Sequence, residues 1–453
     1  MREINSPLKK NLFANLGGIG VQLLNQIVLV PLYLVFWNIN LYGDWIVISA
    51  ISAFFIMSDI GLNTVSSNRF VISYQKKNIA ECNSIINNNY LLLIIISAAL
   101  LAGCFFYILN FDIVSSLDLH YLNRNDANIV FIFTVVNVLI GIFQSVMDSI
   151  YRAVSKNHFM ISITNMSRLL EFFIILASLI LGFSIVLMVT ILIFPKIIML
   201  IYKMVNAPQY FKYSLGIKYI NIRLLKETIS PSLTFMSFPI GNAIILQGFT
   251  IIVNKFFGTE PLILFNTTRT LCNFTKTLLL AMQQSVWPEF SIAYGKGDTD
   301  RMRELHQKAF AIANYSAVAV SIFLLLFGNF IYTIWTNGNL SFNHIMMISF
   351  LAVLFFENMW TTSSVTLLAT NNHSIIGLAY ALLSLVAFAF TFIISKYSDI
   401  SINYIPLPLL TIHLPLIYIT IKKGLILTDD SFKNLIKESF VLAYRLKYHF
   451  CKK

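Results

Sequence analysis

Long apolar runs, each about the length of a membrane-spanning helix, recur along the whole chain. A helix needs roughly 20 apolar residues to cross the hydrocarbon core of a bilayer. Glycine, proline, asparagine and aspartate cluster at the breaks between the runs, as turns require. Twelve segments qualify: Leu12–Trp37, Asp44–Asn63, Asn88–Leu109, Asn128–Tyr151, Phe159–Gly182, Ile185–Tyr202, Ser232–Lys255, Leu262–Trp287, Ala309–Trp335, Phe342–Ala369, Ser374–Ile394 and Tyr404–Ile421. The pattern predicts an all-α integral membrane protein with about 12 transmembrane helices.

The chain divides near its middle into two similar halves. The longest predicted cytoplasmic loop, residues 203–231, separates six spans from six. A Gly and a Gln six residues apart lie in the first span of each half, and an Asn-His pair opens the fifth span of each half. The matching positions are Gly20 and Gln26 with Gly241 and Gln247, and Asn157-His158 with Asn372-His373. Duplicated units are common in transporters, so we expect two six-helix lobes, residues 1–202 and 232–421.

Charge is scarce in the chain and unevenly distributed. Charged residues make up 11% of the sequence, whereas a soluble domain carries about 25%. With the N-terminus inside, the cytoplasmic segments would hold 25 Lys and Arg residues and the outer loops three. Positive residues favour the cytoplasmic side. We therefore expect a multi-pass protein of the bacterial inner membrane with both termini in the cytoplasm. A net charge of +12 could suggest nucleic acid, but the charge lies in short loops and a tail, so we expect no nucleic-acid partner.

The tail after the last span, residues 422–453, has a different periodicity. Apolar residues at positions 432, 435, 436, 440 and 441 recur at helical spacing among lysines and an arginine. This pattern is typical of an amphipathic helix on a membrane surface. We expect a basic cytoplasmic amphipathic helix, the alternative being a partly ordered tail.

The sequence gives little indication of a cofactor, a metal or catalysis. Its four cysteines are scattered, with no CxxC pair and no Cys/His cluster. That spacing argues against zinc, iron–sulfur and disulfide frameworks. The seven histidines lack metal-binding spacing, and the largest predicted outer loop, residues 110–127, is short. We therefore expect no cofactor, no metal site and no enzymatic activity.

The eighth span carries the most polar stripe in the chain. Asn266, Arg269, Asn273 and Lys276 repeat every three to four residues and so share one side of a helix. The two cations lie about 10 Å apart along the axis, and no acidic residue is near them in sequence. Ionisable groups at bilayer depth usually face a bundle interior or a wet cavity. We predict that both line a cavity, the alternative being a salt bridge to Glu357 across the bundle.

Polar residues in other spans are weaker candidates. Arg168 and Glu171, three residues apart in the fifth span, either neutralise each other or face the cavity. Asn242 and Gln247 in the seventh span line the cavity or form hydrogen bonds between helices. Each residue type suits a polar substrate, so Arg168, Asn242 and Gln247 join the candidate set.

The remaining charged residues of the spans have several predicted roles. Asp148 and Arg152, four residues apart at the end of the fourth span, predict a local ion pair. Lys196 in the sixth span either reaches the inner interface or lines the cavity. Glu357 and Asp59 are the candidates for coupling transport to an ion.

Short motifs along the first nine spans resemble one family in particular. The motifs are Pro31-x-Tyr33, Tyr42-Gly43-Asp44-Trp45, Ser58-Asp59-Ile60-Gly61-Leu62, Tyr151-Arg152-Ala153, Arg269-Thr270-Leu271, Val286-Trp287-Pro288-Glu289 and Gly295-x-Gly297-Asp298. In this order they resemble the polysaccharide-repeat (O-antigen and capsule) flippases of the multidrug/oligosaccharidyl-lipid/polysaccharide (MOP) exporter superfamily. Spans 10 to 12 carry no such motif.

The resemblance implies two six-helix lobes that alternate access across the membrane. The substrate would be an undecaprenyl-diphosphate-linked oligosaccharide, moved from the inner to the outer leaflet. Unpaired Arg and Lys would lower the transfer cost of the diphosphate, and Asn and Gln would bind the sugar. The residues assigned to this cavity are Arg269, Lys276, Asn273, Asn266, Arg168, Gln247 and Asn242. Expected partners are the lipid-linked oligosaccharide, membrane lipids and polysaccharide assembly proteins.

Two other functions remain open at this point. A drug/cation antiporter of the same superfamily should have a cavity rich in acids, and Glu357 and Asp59 keep this alternative in place. A membrane polysaccharide polymerase or O-acyltransferase should carry catalytic residues on a sizeable outer loop or a His motif, which the sequence lacks. A static scaffold fits the polar stripes least.

Overall fold

A computed structural model of the chain describes residues 6–37, 39–59, 61–117, 119–336 and 340–450. Within these residues the chain forms helices and turns, with no β-strand. The helices are α1 (Ser6–Leu24), α2 (Val30–Phe36), α3 (Ile39–Phe54), α4 (Leu62–Gln75), α5 (Ile79–Asn110), α6 (Ile113–Ser116), α7 (Arg124–Ala153), α8 (Asn157–Ile180), α9 (Ile185–Ile191), α10 (Ile193–Asn206), α11 (Ile222–Phe235), α12 (Ser237–Ala243), α13 (Phe249–Phe257), α14 (Thr259–Lys296), α15 (Thr299–Trp335), α16 (His344–Ala369), α17 (Ser374–Tyr397), α18 (Leu410–Leu427) and α19 (Phe432–Phe450). The predicted all-α fold is confirmed for this part of the chain.

The helices form two compact units, Met1–Ser232 and Leu233–Lys453. We call them the N-terminal and the C-terminal unit. The segment predicted as a loop between the lobes, residues 203–231, is partly helical, because α10 continues to Asn206 and α11 begins at Ile222. The division between the units therefore falls inside α11.

Nine helical stretches in the described part of the chain are long and apolar enough to cross a membrane, by length and composition. They correspond to predicted spans 3 to 7 and 9 to 12. Predicted spans 1 and 2 are interrupted, the first by a π-helical turn and the second by a 3₁₀ turn at Phe55–Asp59. The eighth span lies in α14, a single helix of 38 residues that contains the polar stripe.

The first membrane helix of each unit is interrupted at a comparable place. A π-helical segment, Asn25–Leu29, joins α1 to α2, and a second, Ile244–Gly248, joins α12 to α13. Gln26 and Gln247, the matching glutamines of the two halves, lie in these segments. π-helical turns inside α-helices are rare and frequently lie at functional sites. The weak sequence repeat thus corresponds to a backbone feature that both units share.

Glycines allow the end of α11 and α12 to lie close to α17 in the C-terminal unit. A Cβ atom added to Gly377 would lie 2.7 Å from the backbone oxygen of Thr234. A Cβ atom added to Gly241 would lie 2.7 Å from the ring of Tyr380. Small residues permit such approach between membrane helices. This contact fixes the helix that carries the C-terminal π segment.

The first hairpin motif has a structural role. Asp44 of α3 is 2% exposed, and its carboxylate accepts hydrogen bonds from the backbone N–H groups of His120, Tyr121 and Leu122, each at 2.9 Å. A carboxylate that accepts several backbone N–H groups makes strong, charge-assisted hydrogen bonds. Asp44 therefore holds the connection between α6 and α7 against the start of α3.

Asparagine side chains of α5 hold the segment that leads from α10 to α11. The Asn87 amide donates to the Ser214 oxygen and accepts from the Gly216 N–H, both at 2.9 Å. The Asn88 amide bonds in the same reciprocal way to the backbone of Asn221, at 2.8 and 3.0 Å. This connecting segment is therefore part of the N-terminal unit.

The tail forms a helix, α19, as its periodicity predicts. Leu435 is fully buried in a cluster with Phe310 of α15 and Leu425 of α18. The Tyr315 hydroxyl donates to the Ser439 oxygen at 3.2 Å. One face of α19 therefore packs on the C-terminal unit, and its placement on a membrane surface stays a prediction.

Candidate functional site

The polar stripe of α14 lies on an uninterrupted helix, so its spacing is regular over about three turns. Helical order here depends on packing, since Phe265, Cys272 and Leu279 on the adjoining face of the helix are buried in the core of the C-terminal unit. On the stripe itself, Asn273 is exposed and Arg269 is half-buried. Arg269 and Lys276, the predicted cations, thus lie at the edge of the packed face of α14.

Arg269 is held by neutral acceptors. Its guanidinium donates to the backbone oxygen of Leu246 at 3.0 Å, to Thr250 Oγ1 at 3.0 Å and to Asn266 Oδ1 at 2.6 Å. The ring of Phe265 lies 5.4 Å below the guanidinium carbon. No carboxylate lies within salt-bridge distance of it among the side chains that the structure describes. Arg269 is therefore a fixed, half-buried cation whose charge has no close counter-ion in that set.

The contact to Leu246 ties Arg269 to the C-terminal π segment. Leu246 lies within that segment, and its oxygen also accepts from the hydroxyl of Thr250 at 2.7 Å. Because a π turn displaces the regular i to i+4 pattern, its carbonyl groups are open to other donors. Arg269 thus joins α14 to the interrupted helix beside it.

Lys276 is paired, contrary to the prediction that it lacks a counter-ion. Its Nζ lies 2.6 Å from Glu357 Oε1 of α16. The Lys276 side chain is 31% exposed and the Glu357 side chain 16%. The salt bridge across the bundle, the alternative stated for this stripe, is therefore present, although it involves Lys276 and not Arg269. The prediction failed because helical spacing places the two cations on one face but does not show which helix that face meets.

An amide and hydroxyl network lies next to this pair. Gln283 Nε2 donates to Thr361 Oγ1 at 3.0 Å and to Thr362 Oγ1 at 3.1 Å, and lies 3.4 Å from Asn358 Oδ1. Asn358 in turn donates to Asn314 of α15 at 3.3 Å. A small pocket is lined by Lys276, Leu279, Leu280, Gln283, Leu354, Glu357, Asn358 and Thr361. The pocket therefore combines one ion pair with several uncharged hydrogen-bonding groups.

Sequence reasoning missed Gln283. It lies two turns beyond Lys276 on the same helix and is 7% exposed. Extending the stripe at the same spacing would have reached it. The predicted stripe ended at Lys276 because Leu278, Leu279 and Leu280, which follow soon after it, are apolar.

The candidate residues of the seventh span lie apart from this network. The side chains of Asn242 and Gln247 are exposed, and Gln247 is in the π segment. The structure does not bring either into the pocket beside Lys276. Their assignment to a substrate cavity stays a prediction.

Three charged candidate residues belong to the N-terminal unit: Arg168, Glu171 and Lys196. Arg168 is exposed, and no carboxylate lies within 4 Å of it among the described side chains. Glu171 accepts a hydrogen bond from Ser167 at 3.2 Å. Lys196 Nζ donates to Asn137 Oδ1 at 2.5 Å, so an amide holds this lysine. Arg168 and Glu171 thus do not form the pair that was one of the two predictions for them.

The predicted ion pair between Asp148 and Arg152 is wrong, because Asp148 pairs with a different residue. Asp148 Oδ1 lies 2.7 Å from Nζ of Lys203, whose side chain is 1% exposed. Lys203 was assigned to a cytoplasmic loop, yet α10 extends past it and turns it inward against α7. The i,i+4 spacing of Asp148 and Arg152 did not reveal a partner on another helix.

Asp59, the second coupling candidate, ends the 3₁₀ turn between α3 and α4. Its carboxylate accepts a hydrogen bond from the backbone N–H of Asn63 at 3.0 Å. Asn63 in turn bonds to the Ile142 oxygen and to Asn89, which places this group inside the N-terminal unit. Glu357 belongs to the other unit, so the two acids belong to separate groups.

Comparison with known proteins identifies the fold. No protein-family model matches the chain, and no curated protein matches it either. A crystal structure of a mutant MATE transporter matches 95% of this chain and 96% of its own, with a TM-score of 0.76 at 14% identity. An outward-facing multidrug resistance MATE family transporter of the MOP superfamily matches 95% of this chain and 96% of its own, with a TM-score of 0.73 at 14% identity.

A third similar structure is a MOP superfamily transporter from Pyrococcus furiosus. It covers 93% of this chain and 95% of its own, with a TM-score of 0.72 at 12% identity. Its description states that the reverse polarity of its binding pocket suggests a different function. Identities this low support the fold and no finer conclusion.

The fold prediction is confirmed by these neighbours. MATE structures are 12-helix transporters with two lobes, as the sequence predicts for this chain. The chain is thus a multi-pass membrane protein with the fold of MOP superfamily transporters. Its orientation in the membrane, its cellular membrane and its substrate stay predictions.

Proposed function

We propose that this protein is a flippase that moves undecaprenyl-diphosphate-linked oligosaccharide units from the inner to the outer leaflet by alternating access. The transporter fold supports movement of a substrate across a bilayer. The charge of the α14 stripe supports an anionic substrate. We further propose that the chain lies in a bacterial inner membrane with both termini in the cytoplasm, as the distribution of Lys and Arg predicts.

The observation that carries the proposal is the state of Arg269. Its guanidinium is half-buried and is positioned by three neutral acceptors and an aromatic ring. A cation that is fixed in place and lacks a close carboxylate attracts an anion with little reorganisation. A diphosphate offers several oxygens for charge-assisted hydrogen bonds. Arg269 is therefore the residue of the stripe best suited to bind the diphosphate.

The Lys276–Glu357 pair adds a second function in this proposal. Lys276 is about two turns from Arg269, and its salt bridge is partly exposed. An arriving diphosphate replaces Glu357 as the partner of Lys276, and protonation of Glu357 favours that exchange. Glu357 thus connects substrate binding to a proton. Gln283, Asn358 and Thr361 beside the pair offer donors and acceptors for sugar hydroxyls.

A drug/cation antiporter is the second candidate, and one observation favours it. Glu357 is a carboxylate at the edge of a pocket within the membrane region, where a cation could replace Lys276 as its partner. One structural neighbour is described as a multidrug resistance transporter. Another neighbour's description concerns reverse pocket polarity, so charge in this region is the property that separates the two candidates.

The test is complementation of a deletion strain with Arg269→Ala. We expect surface glycan export to fall by about tenfold or more, since a charge-assisted contact contributes roughly 1.5–3 kcal/mol. Arg269→Lys should restore part of the export, because lysine lacks the planar fork. The matched control is Lys396→Ala, which removes an exposed cation at the end of α17.

Full export from Arg269→Ala at wild-type protein levels would contradict the diphosphate role. If the deletion strain exported glycan normally and lost drug tolerance, the antiporter would be the correct function. In the flippase case, the deletion strain accumulates lipid-linked oligosaccharide on the inner leaflet. That accumulation is measured by profiling the lipid-linked sugars of the strain.

A further inference from the structure

A second group of basic side chains lies in the N-terminal unit, at the turn between α7 and α8. We call it the cationic corner, and its members are Lys10 of α1, Arg152 at the end of α7, Lys156 in the turn and His158 at the start of α8. α1 packs along α8. Lys10 and Lys156 both act electrostatically on His158. Three segments of the chain thus contribute basic groups to one place.

The turn that carries the corner is tight and hydrogen-bonded. The backbone N–H of Ser155 donates to the Arg152 oxygen at 3.1 Å, and that of Lys156 donates to the Tyr151 oxygen at 2.8 Å. Ser155 adopts a left-handed conformation with φ of 58°. These bonds fix the direction in which the chain leaves α7 and enters α8. The separation of Arg152 from Lys156 and His158 is therefore set by the fold.

Two nitrogens of the corner are buried without a partner. Arg152 Nε and His158 Nδ1 are both shielded from solvent, and neither has a hydrogen-bond partner in the described part of the chain. Buried polar atoms are normally hydrogen-bonded, and an unpaired one needs an explanation. The two atoms lie at either side of the same short turn.

The corner has a surplus of positive charge. Asp148 acts electrostatically on Arg152, but its carboxylate already forms the 2.7 Å salt bridge with Lys203. Lys156 has a neutral partner, since its Nζ lies 3.0 Å from the Tyr210 hydroxyl and 4.5 Å from the centre of that ring. Among the described side chains, none of the salt bridges involves Lys10, Arg152 or Lys156. The charges of the corner are thus available to an anion.

We propose that the cationic corner binds a phosphate or diphosphate group carried by a membrane lipid. Phosphate oxygens accept several charge-assisted hydrogen bonds, and arginine matches their geometry. The corner lies where two apolar helices end, so the lipid tail can stay in the bilayer beside them. Basic pockets between membrane helices commonly bind anionic head groups. This site does not depend on the proposed function, because ordinary anionic lipids offer the same phosphate chemistry.

The test is native mass spectrometry of the full chain in detergent, titrated with three probes. Farnesyl diphosphate and a phosphatidylglycerol represent two lipid sources, and inorganic pyrophosphate represents a phosphate without a tail. The variants are Lys156→Gln and Arg152→Gln. The control is Lys76→Gln, which removes an exposed lysine beside the turn between α4 and α5. We expect each corner variant to weaken lipid binding by about tenfold and the control to leave it unchanged.

Binding that is equal in the wild type and in both corner variants would overturn the proposal. Pyrophosphate binding as tight as farnesyl diphosphate binding would also overturn it, because the lipid tail would then contribute nothing. Tight binding of either lipid, lost in the corner variants, supports it and identifies the source. Lys156 is exposed, so its substitution keeps the test valid if Arg152→Gln fails to fold. Repeating the titration in an Arg269→Ala background separates loss at the corner from loss at the α14 stripe.

Discussion

Among the described side chains, each unit contains one lysine–carboxylate pair between two of its helices, and the two pairs differ in their surroundings. In the N-terminal unit, Lys203 and Asp148 lie 2.7 Å apart with side chains 1% and 12% exposed. In the C-terminal unit, Lys276 and Glu357 lie 2.6 Å apart with side chains 31% and 16% exposed. The distances are nearly equal, so exposure is what distinguishes the pairs. A buried pair holds helices together, whereas a half-open pair can exchange its partner.

The interrupted first helix of each unit shows the same contrast. Both units contain a π segment, Asn25–Leu29 and Ile244–Gly248. In the N-terminal unit the surroundings include a cluster around Leu29 and Phe172, whereas in the C-terminal unit Arg269 donates to the segment. The duplicated backbone therefore carries different chemistry in each half. We infer that the α14 stripe of the C-terminal unit provides the substrate-binding function of the proposed flippase and that the Lys203–Asp148 pair of the N-terminal unit is structural.

The largest expected effect is on stability, from Asp148→Asn. Removing one partner of a buried pair leaves the other charge unpaired, which costs about 3–5 kcal/mol. We expect the free energy of unfolding to fall by that amount in a denaturant titration in detergent. The double variant Asp148→Asn/Lys203→Met should recover much of the loss. A loss below about 1 kcal/mol, as for a surface pair, would break the comparison.

A second buried carboxylate of the N-terminal unit should also act through structure alone. Asp44→Asn keeps the shape but removes the charge and leaves one oxygen to accept from three N–H groups. We expect about 2 kcal/mol of lost stability, in the range for hydrogen bonds to a charged group. Hydrogen exchange at residues 120–122 should rise. Substrate affinity, measured on the folded fraction, should stay as in the wild type.

The smallest expected effect is in the network beside Lys276. Gln283→Leu removes the donor to Thr361 and Thr362 and leaves the ion pair intact. We expect affinity for a lipid-linked oligosaccharide to fall by about 1 kcal/mol, the net contribution of a neutral hydrogen bond. Affinity for the same lipid diphosphate without sugar should not change. An equal loss for both ligands would show that Gln283 does not bind the sugar.

Much of the fold was predictable because a bilayer restricts the possible patterns. Apolar runs of sufficient length located the membrane helices, and helical spacing identified the stripe that contains Arg269 and Lys276. Helix ends were less well predicted. α14 ends at Lys296 and α15 begins at Thr299, so both helices extend beyond the predicted apolar runs into polar sequence.

Partners between helices could not be predicted in the same way. Spacing shows which residues share a face, but the packing of distant helices decides what that face meets. Glu357 was named as a partner for the stripe, yet the sequence could not choose between Arg269 and Lys276. Lys203 was predicted to lie in a loop because the predicted span ended at Tyr202. Its buried position depends on the continuation of α10 to Asn206. The sequence signal for the π segments was only the repeated six-residue spacing between a glycine and a glutamine.

The most direct test of the account is the affinity of Glu357→Gln for a lipid diphosphate. The substitution keeps the size of the side chain and removes the charge that Lys276 faces at 2.6 Å. If the half-open pair exchanges its carboxylate for the substrate, the free lysine should bind the diphosphate about tenfold more tightly. A second substitution, Lys276→Met, should abolish that gain. Unchanged or weaker binding by Glu357→Gln would contradict the claim that this pair exchanges partners with an anionic substrate.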